Sequence, residues 1–224
     1  MRYGQFCPIA KSLELIGDRW TILVLREVLM GGRRYNEIQR GLGGISSALL
    51  SKRLKWLVEC GLLDRMTKPG TNVRYFPTKS ALELQPVLMA LGNWGMKWTQ
   101  SNLSADDYDV ELLMLYLERS IDLEGLLVPR IVVRFEFVDL AEQRLWWVIA
   151  EPASVEICTT NPEFDVDVFL TVPLGLMTNI WLGHDSYRRA ESAGELILHG
   201  NAALVRNIES WLRCSEFSPQ PKVC

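Results

Sequence analysis

The sequence predicts an α+β protein in two halves, and three observations carry that expectation. Charge is divided: residues 1–100 hold 15 Lys+Arg against 7 Asp+Glu, a net +8, whereas residues 101–224 hold 9 against 20, a net −11. The overall −3 therefore conceals two opposite fields. Apolar residues of the first half recur mainly at helical spacing, whereas the second half carries runs rich in β-branched and aromatic residues, bounded by Pro, Asn and Asp. A polar stretch from Ser101 to Asp109 separates the two patterns. Domains are expected at 1–100 and 101–218, with a short tail at 219–224.

Size and composition bound the function. A chain of 224 residues, 48% hydrophobic and with a mean hydropathy of +0.06, can bury a core without disulfides, which excludes disordered and collagen-like classes. No apolar run reaches the roughly 18 residues of a membrane span, and the first residues lack a signal-peptide pattern. The expectation is a cytoplasmic protein with no membrane partner. The five cysteines (Cys7, Cys60, Cys158, Cys214, Cys224) show no metal-knuckle spacing and read as reduced thiols. Only His184 and His199 are present, without a zincin, nucleophile-elbow or phosphate-loop motif, so no catalytic residue, metal or cofactor is assigned and the protein is not expected to be an enzyme.

The elements follow in order. Ile9, Leu13 and Ile16 make a short amphipathic helix that Gly17 ends. Asp18 is placed to cap a second, almost wholly apolar helix through Trp20, Val24, Leu25 and Val28, which stops at Gly31-Gly32. A third helix, Arg34 to Arg40, is followed by a glycine-bearing turn and then Ser46, the cap of a fourth helix over about Ser47 to Cys60. In that fourth helix Leu50, Leu54 and Leu57 form one stripe. At 100° per residue Ala48, Ser51, Lys52 and Lys55 fall opposite, flanked by Ser47 and Arg53. Small residues permit close approach to a groove floor, and Lys and Arg can reach phosphates or guanine edges. Two alternating segments, 62–66 and 72–76, joined by Pro69-Gly70, form a β-hairpin carrying Arg65, Lys68 and Arg74, charge that suits a phosphate backbone or narrow minor groove. Three helices and a basic hairpin make a winged helix-turn-helix. Its candidate DNA-binding residues are Arg34, Ser46, Ser47, Ala48, Ser51, Lys52, Arg53, Lys55, Lys68 and Arg74. A last apolar helix, through Leu82, Leu88, Leu91, Trp94 and Trp98, is expected to pack across a dimer, the alternative being that the same face docks on the acidic half within one chain.

The motifs Cys7-Pro8, Gly17-Asp18-Arg19-Trp20, Arg34-Tyr35-Asn36-Glu37-Ile38, Gly44-Ile45-Ser46, Leu50-Ser51-Lys52-Arg53-Leu54 and Gly61-Leu62-Leu63 resemble HxlR-type winged-helix transcription regulators over roughly residues 6–100. The resemblance implies a homodimer, paired through terminal helices, on a two-fold operator in double-stranded DNA. It places the helix of residues 47–59 in the major groove and the wing beside the backbone. It also implies a redox- or electrophile-sensing role for Cys7. Many members carry Asn where this chain has Ala48, a departure at a base-contacting position.

In the acidic half, a helix over Glu111–Ile121 precedes strand-like runs at Ile131–Val138, Arg144–Ala150, Ser154–Thr159 and Val166–Val172, antiparallel in character. A helix at Pro173–Leu182, a short helical piece at Asp185–Ser192, a strand at Glu195–His199 and a helix at Ala202–Cys214 complete it. This order, with Trp181-Leu182-Gly183, Gly194-Glu195-Leu196 and His199-Gly200-Asn201, is similar to sterol-carrier-protein-type domains. The resemblance implies a layered α/β fold and an apolar cavity between sheet and helices, with Phe137, Trp147, Phe169, Leu174, Met177, Ile180 and Trp181 as candidate lining. The functional expectation is a DNA-binding regulator whose second domain takes an apolar effector. The alternative is a lipid or small-molecule carrier whose winged helix serves protein contacts.

Overall fold

The protein is described by a computed structural model that covers residues 2–67, 70, 72–99, 103–122 and 129–218. Lys68 and the expected tail at 219–224 lie outside the described residues. The chain forms two compact units, 1–95 and 96–224, and the boundary falls within a helix instead of at the polar stretch after Ser101.

The first unit begins with α1 (Pro8–Ile16), α2 (Thr21–Leu29), α3 (Tyr35–Arg40) and α4 (Ser47–Glu59). The hairpin strands β1 (Leu63–Met66) and β2 (Arg74–Pro77) follow, then α5 (Lys79–Leu82) and α6 (Gln85–Trp98). The core gathers the predicted stripes: Val24, Leu25 and Val28 of α2 meet Ile38, then Leu50, Leu54 and Leu57 of α4, with Leu63 closing the base of the hairpin. Ser46 caps α4 as its spacing requires, its hydroxyl accepting the Leu49 N–H at 3.3 Å. Asp18 does not cap α2. Its carboxylate is ion-paired to Arg53 of α4, while its carbonyl receives the Thr21 N–H, so this acid ties the turn before α2 to α4 instead of capping α2 with its side chain. The expected last apolar helix is two: α5, capped by Thr78, whose hydroxyl accepts from Ala81 N, and α6, in which no residue is fully buried.

The second unit contains α7 (Val110–Ser120), capped by the Asp109 side chain, and the strands β3 (Ile131–Phe137), β4 (Leu145–Glu151), β5 (Ser154–Cys158) and β6 (Val168–Val172). After these come α8 (Leu174–Leu182), α9 (Tyr187–Ser192), β7 (Ile197–Gly200), α10 (Ala202–Arg206) and α11 (Ile208–Trp211). The single closing helix expected over Ala202–Cys214 is thus two short ones. The strands form one five-stranded sheet in the order β5-β4-β3-β6-β7. The sheet is mixed, not antiparallel throughout: β3 and β6 run parallel, Val133 opposite Val168 through Phe137 opposite Val172. The reason is the route of the chain, because residues 159–167 carry it from the β5 edge past β4 and β3 to the far side of β3.

Strand alternation divides the sheet into two faces. Ile131, Val133, Phe135 and Phe137 of β3, with Trp146 and Val148 of β4 and Val168, Leu170 and Val172 of β6, join residues of α7, α8, α9 and α11 in one core. Asp139, in the turn after β3, accepts the Leu174 N–H at 2.8 Å and so caps α8, whose preceding Pro173 has no capping side chain. Close approach makes one glycine obligatory here: a Cβ on Gly200, at φ +132°, would lie 2.1 Å from the Asp167 carbonyl where β7 meets β6.

Candidate nucleic-acid interface

The recognition-type helix α4 is held from two sides. From α3, the Tyr35 hydroxyl donates to the Ser47 carbonyl at 2.8 Å and the Gln39 amide to the Ser47 hydroxyl at 3.2 Å. From the turn before α2, Asp18 holds Arg53, whose side chain is only 13% exposed. Beneath the turn between α3 and α4 lies a contact the sequence pattern did not reveal. Glu27 of α2 is fully buried and pairs with Arg26 at 2.7 Å, and the same guanidinium donates to the Gly41 carbonyl at 2.8 Å. The carboxylate sits so close that a Cβ on Gly41 would fall 1.9 Å from its Oε2. The available signal was Arg26-Glu27 itself, an adjacent ion pair inside an otherwise apolar helix, which core placement forces to find partners.

Of the predicted α4 residues, Ser47, Ala48, Ser51, Lys52 and Lys55 are exposed on one side of the helix, and Ser46 is exposed at its cap. They do not all present free charge. Arg53 is committed to Asp18, and Lys55 lies 3.7 Å from Glu59 one turn on, both side chains well exposed. The hairpin adds a juxtaposition: Arg34 and Arg74 face one another in an antiparallel β-bridge, and the Tyr75 N–H donates to the Arg33 carbonyl at 2.8 Å. The wing is therefore stitched to the N-terminus of α3, with two exposed guanidinium-bearing residues side by side. Directly opposed like charges repel unless an anion intervenes. Glu37 partly supplies one. Its Oε2 accepts the N–H groups of Arg33 and Arg34, each at 2.9 Å, and its Oε1 lies 3.7 Å from Arg34 Nε. Partial burial opposes ionisation of Glu37, but those two backbone donors and the nearby Arg34 and Arg74 charges more than offset it, and its carboxyl is held below the usual range. Arg65 is exposed on the other hairpin strand, directly across from Tyr75.

The candidate ligand residues of the second unit do not gather into one group. Phe137, Leu174, Met177 and Ile180 are buried together between sheet and helices, and Trp181 packs against them. Trp181 is fixed by stacking on Tyr116 at 4.8 Å and by donating its indole N–H to the Ser120 hydroxyl at 2.8 Å. Trp147 and Phe169 are on the opposite face: both lie directly across from Arg134 in the sheet, and the Arg134 guanidinium stacks 4.8 Å from the Phe169 ring. Both are aromatic like the core set, but strand alternation gives them the other face. Cys7 is half-buried immediately before α1. Among the described residues no group of three His, Cys, Asp or Glu could hold a metal ion, and no helix is long and apolar enough to cross a membrane.

Helices α2 to α4 with the stitched hairpin define a winged helix-turn-helix, and comparison with known proteins agrees. Residues 15–103 match the family described as HxlR-like helix-turn-helix. The chain is 36% identical over 99 residues to an HTH-type transcriptional regulator of Synechocystis, covering 43% of this chain and 73% of that one. It is 33% identical over 101 residues to the HTH-type transcriptional regulator YvaP of Bacillus subtilis, covering 44% of this chain and 94% of that one. Among solved structures it is similar to the reduced form of the transcriptional regulator YodB from B. subtilis, at 29% identity and a TM-score of 0.38, covering 43% and 98% of the two chains. The class is that of helix-turn-helix transcriptional regulators. Within it, this chain belongs to the HxlR-like helix-turn-helix family.

Proposed function

We propose that the protein is a cytoplasmic DNA-binding regulator that acts as a homodimer on a two-fold operator, with α4 in the major groove and the hairpin along the phosphate backbone. The observation that carries this reading is the exposed face of α4, small at Ser47, Ala48 and Ser51 and cationic at Lys52 and Lys55, beside the paired Arg34 and Arg74. The small residues allow close approach and the cations neutralise phosphates. Dimerisation is supported by apolar side chains left in solvent: Phe6, Ile9 and Leu13 at α1, and Val87, Leu91 and Trp94 at α6, spaced by four and three residues so that they form one stripe.

The second unit is read as a sterol-carrier-like domain that takes an apolar effector between sheet and helices, near Phe137, Leu174, Met177, Ile180 and Trp181. Its order of helix, strands, two helices, strand and closing helices supports that reading. An effector changes operator affinity only if it binds the DNA-competent and incompetent states unequally. Cys7 is the candidate thiol for a redox response, tested by whether Cys7→Ser abolishes a diamide effect on DNA binding.

Salt dependence of binding to a promoter fragment tests the central reading. A dimer with several phosphate contacts gives a steep negative slope of log affinity on log salt. A flat slope overturns it and favours a carrier whose winged helix contacts protein.

A further inference from the structure

We infer that Lys52 is the side chain that reads base identity, and that the base it reads is a guanine in each half-site; this rests on the DNA-binding reading above. Three cations lie on α4, and the structure distinguishes them. Arg53 is largely buried and ion-paired to Asp18, which removes it from the exposed face. Lys55 is opposed by Glu59 and lies nearer the C-terminal end of the helix. Lys52 is exposed, and no hydrogen bond or ion pair engages it among the described residues.

Its neighbours make the position informative. Ala48, one turn before it, and Ser51 beside it are exposed and short. Further toward the N-terminus, the Ser47 hydroxyl and carbonyl are already engaged by Gln39 and Tyr35. A helix end bearing a methyl and a hydroxymethyl group can sink toward a groove floor, and the one long donor over that stretch is then Lys52. An ammonium donates three hydrogen bonds and accepts none. In the major groove guanine offers two adjacent acceptors, O6 and N7, whereas adenine pairs its N7 with an N6 donor that an ammonium cannot satisfy. The chemistry of Lys52 therefore selects guanine, and a glutamine at the same place would select adenine through its paired acceptor and donor.

The test uses the full chain and a randomised duplex library, enriched in parallel by the wild type, Lys52→Gln, Lys52→Ala and Lys55→Ala, with melting curves to establish that each is folded. The expected result is a guanine preferred about tenfold or more at one position of each half-site by the wild type. That preference is lost in Lys52→Ala and replaced by adenine in Lys52→Gln, while Lys55→Ala weakens all sequences alike. The inference is overturned if both Lys52 variants keep every base preference, or if Lys52→Ala weakens all sites equally and lowers the salt slope by about one, the signature of a phosphate contact. A wild-type chain that enriches no sequence overturns the DNA-binding reading along with it.

Discussion

At the scale of single residues, the best-defined constraint is the fit of a buried carboxylate against a glycine. Glu27 leaves no room for a side chain on Gly41, and it is held there by Arg26, which also grips the Gly41 carbonyl. Gly41→Ala overpacks this position and must displace the end of the buried Glu27 side chain; overpacking costs about 1–3 kcal/mol, so urea unfolding of this variant should show a loss of that size. A loss below about 1 kcal/mol would mean that the pair moves freely, contrary to its burial. Glu37 makes a second, pH-dependent statement. Its folded pKa is depressed, so its contribution to stability is full above the unfolded value of about 4.3 and is lost as pH falls through the folded value. Wild-type melting temperature should therefore drop more steeply below about pH 4.5 than that of Glu37→Gln, whose amide does not titrate. Parallel curves would count against the pairing of the Glu37 carboxylate with the Arg33 and Arg34 N–H groups.

At the scale of elements, α4 has two faces with different work, and mutations should separate them. Leu54→Ala empties a position that is almost fully buried and should cost about 2–5 kcal/mol of stability. Lys55→Ala removes an exposed member of a surface pair and should leave thermal stability nearly unchanged while weakening DNA binding. Equal destabilisation by both would contradict the face assignment. Helical periodicity and capping chemistry made α4 legible in the sequence, because Ser46, the three leucines and the opposite small-basic face each follow from spacing alone. The partner of Arg53 was not legible: Asp18 and Arg53 are 35 residues apart, and only tertiary packing brings them together. The same limit explains why Trp147 and Phe169 were grouped with Phe137. Their face depends on register, which the apolar content of β4 and β6 does not display because both sides of those strands are largely covered. The parallel pairing of β3 with β6 was hidden likewise, since strand composition does not state which neighbour a crossover will reach.

At the scale of the whole molecule, the division of charge into +8 and −11 coincides closely with the division into two compact units. The family match ends at residue 103, so it accounts for the basic unit. The apolar stripe on α6 gives this scale its prediction. Sedimentation should find a dimer at micromolar concentration, and Trp94→Asp should yield a folded monomer whose DNA affinity falls steeply because two half-sites no longer bind as one. A wild-type monomer would remove the dimer from the proposal. The crossover that sets β6 beside β3 carries a further consequence, for the kinetics of folding. Val133 and Val168 must meet across 35 residues before the central strand of the sheet gains its second neighbour. Loop closure of that kind is slow. Until β6 arrives β3 has one open edge, a template for pairing with another chain, so closure of this sheet sets the time the second unit spends open to aggregation.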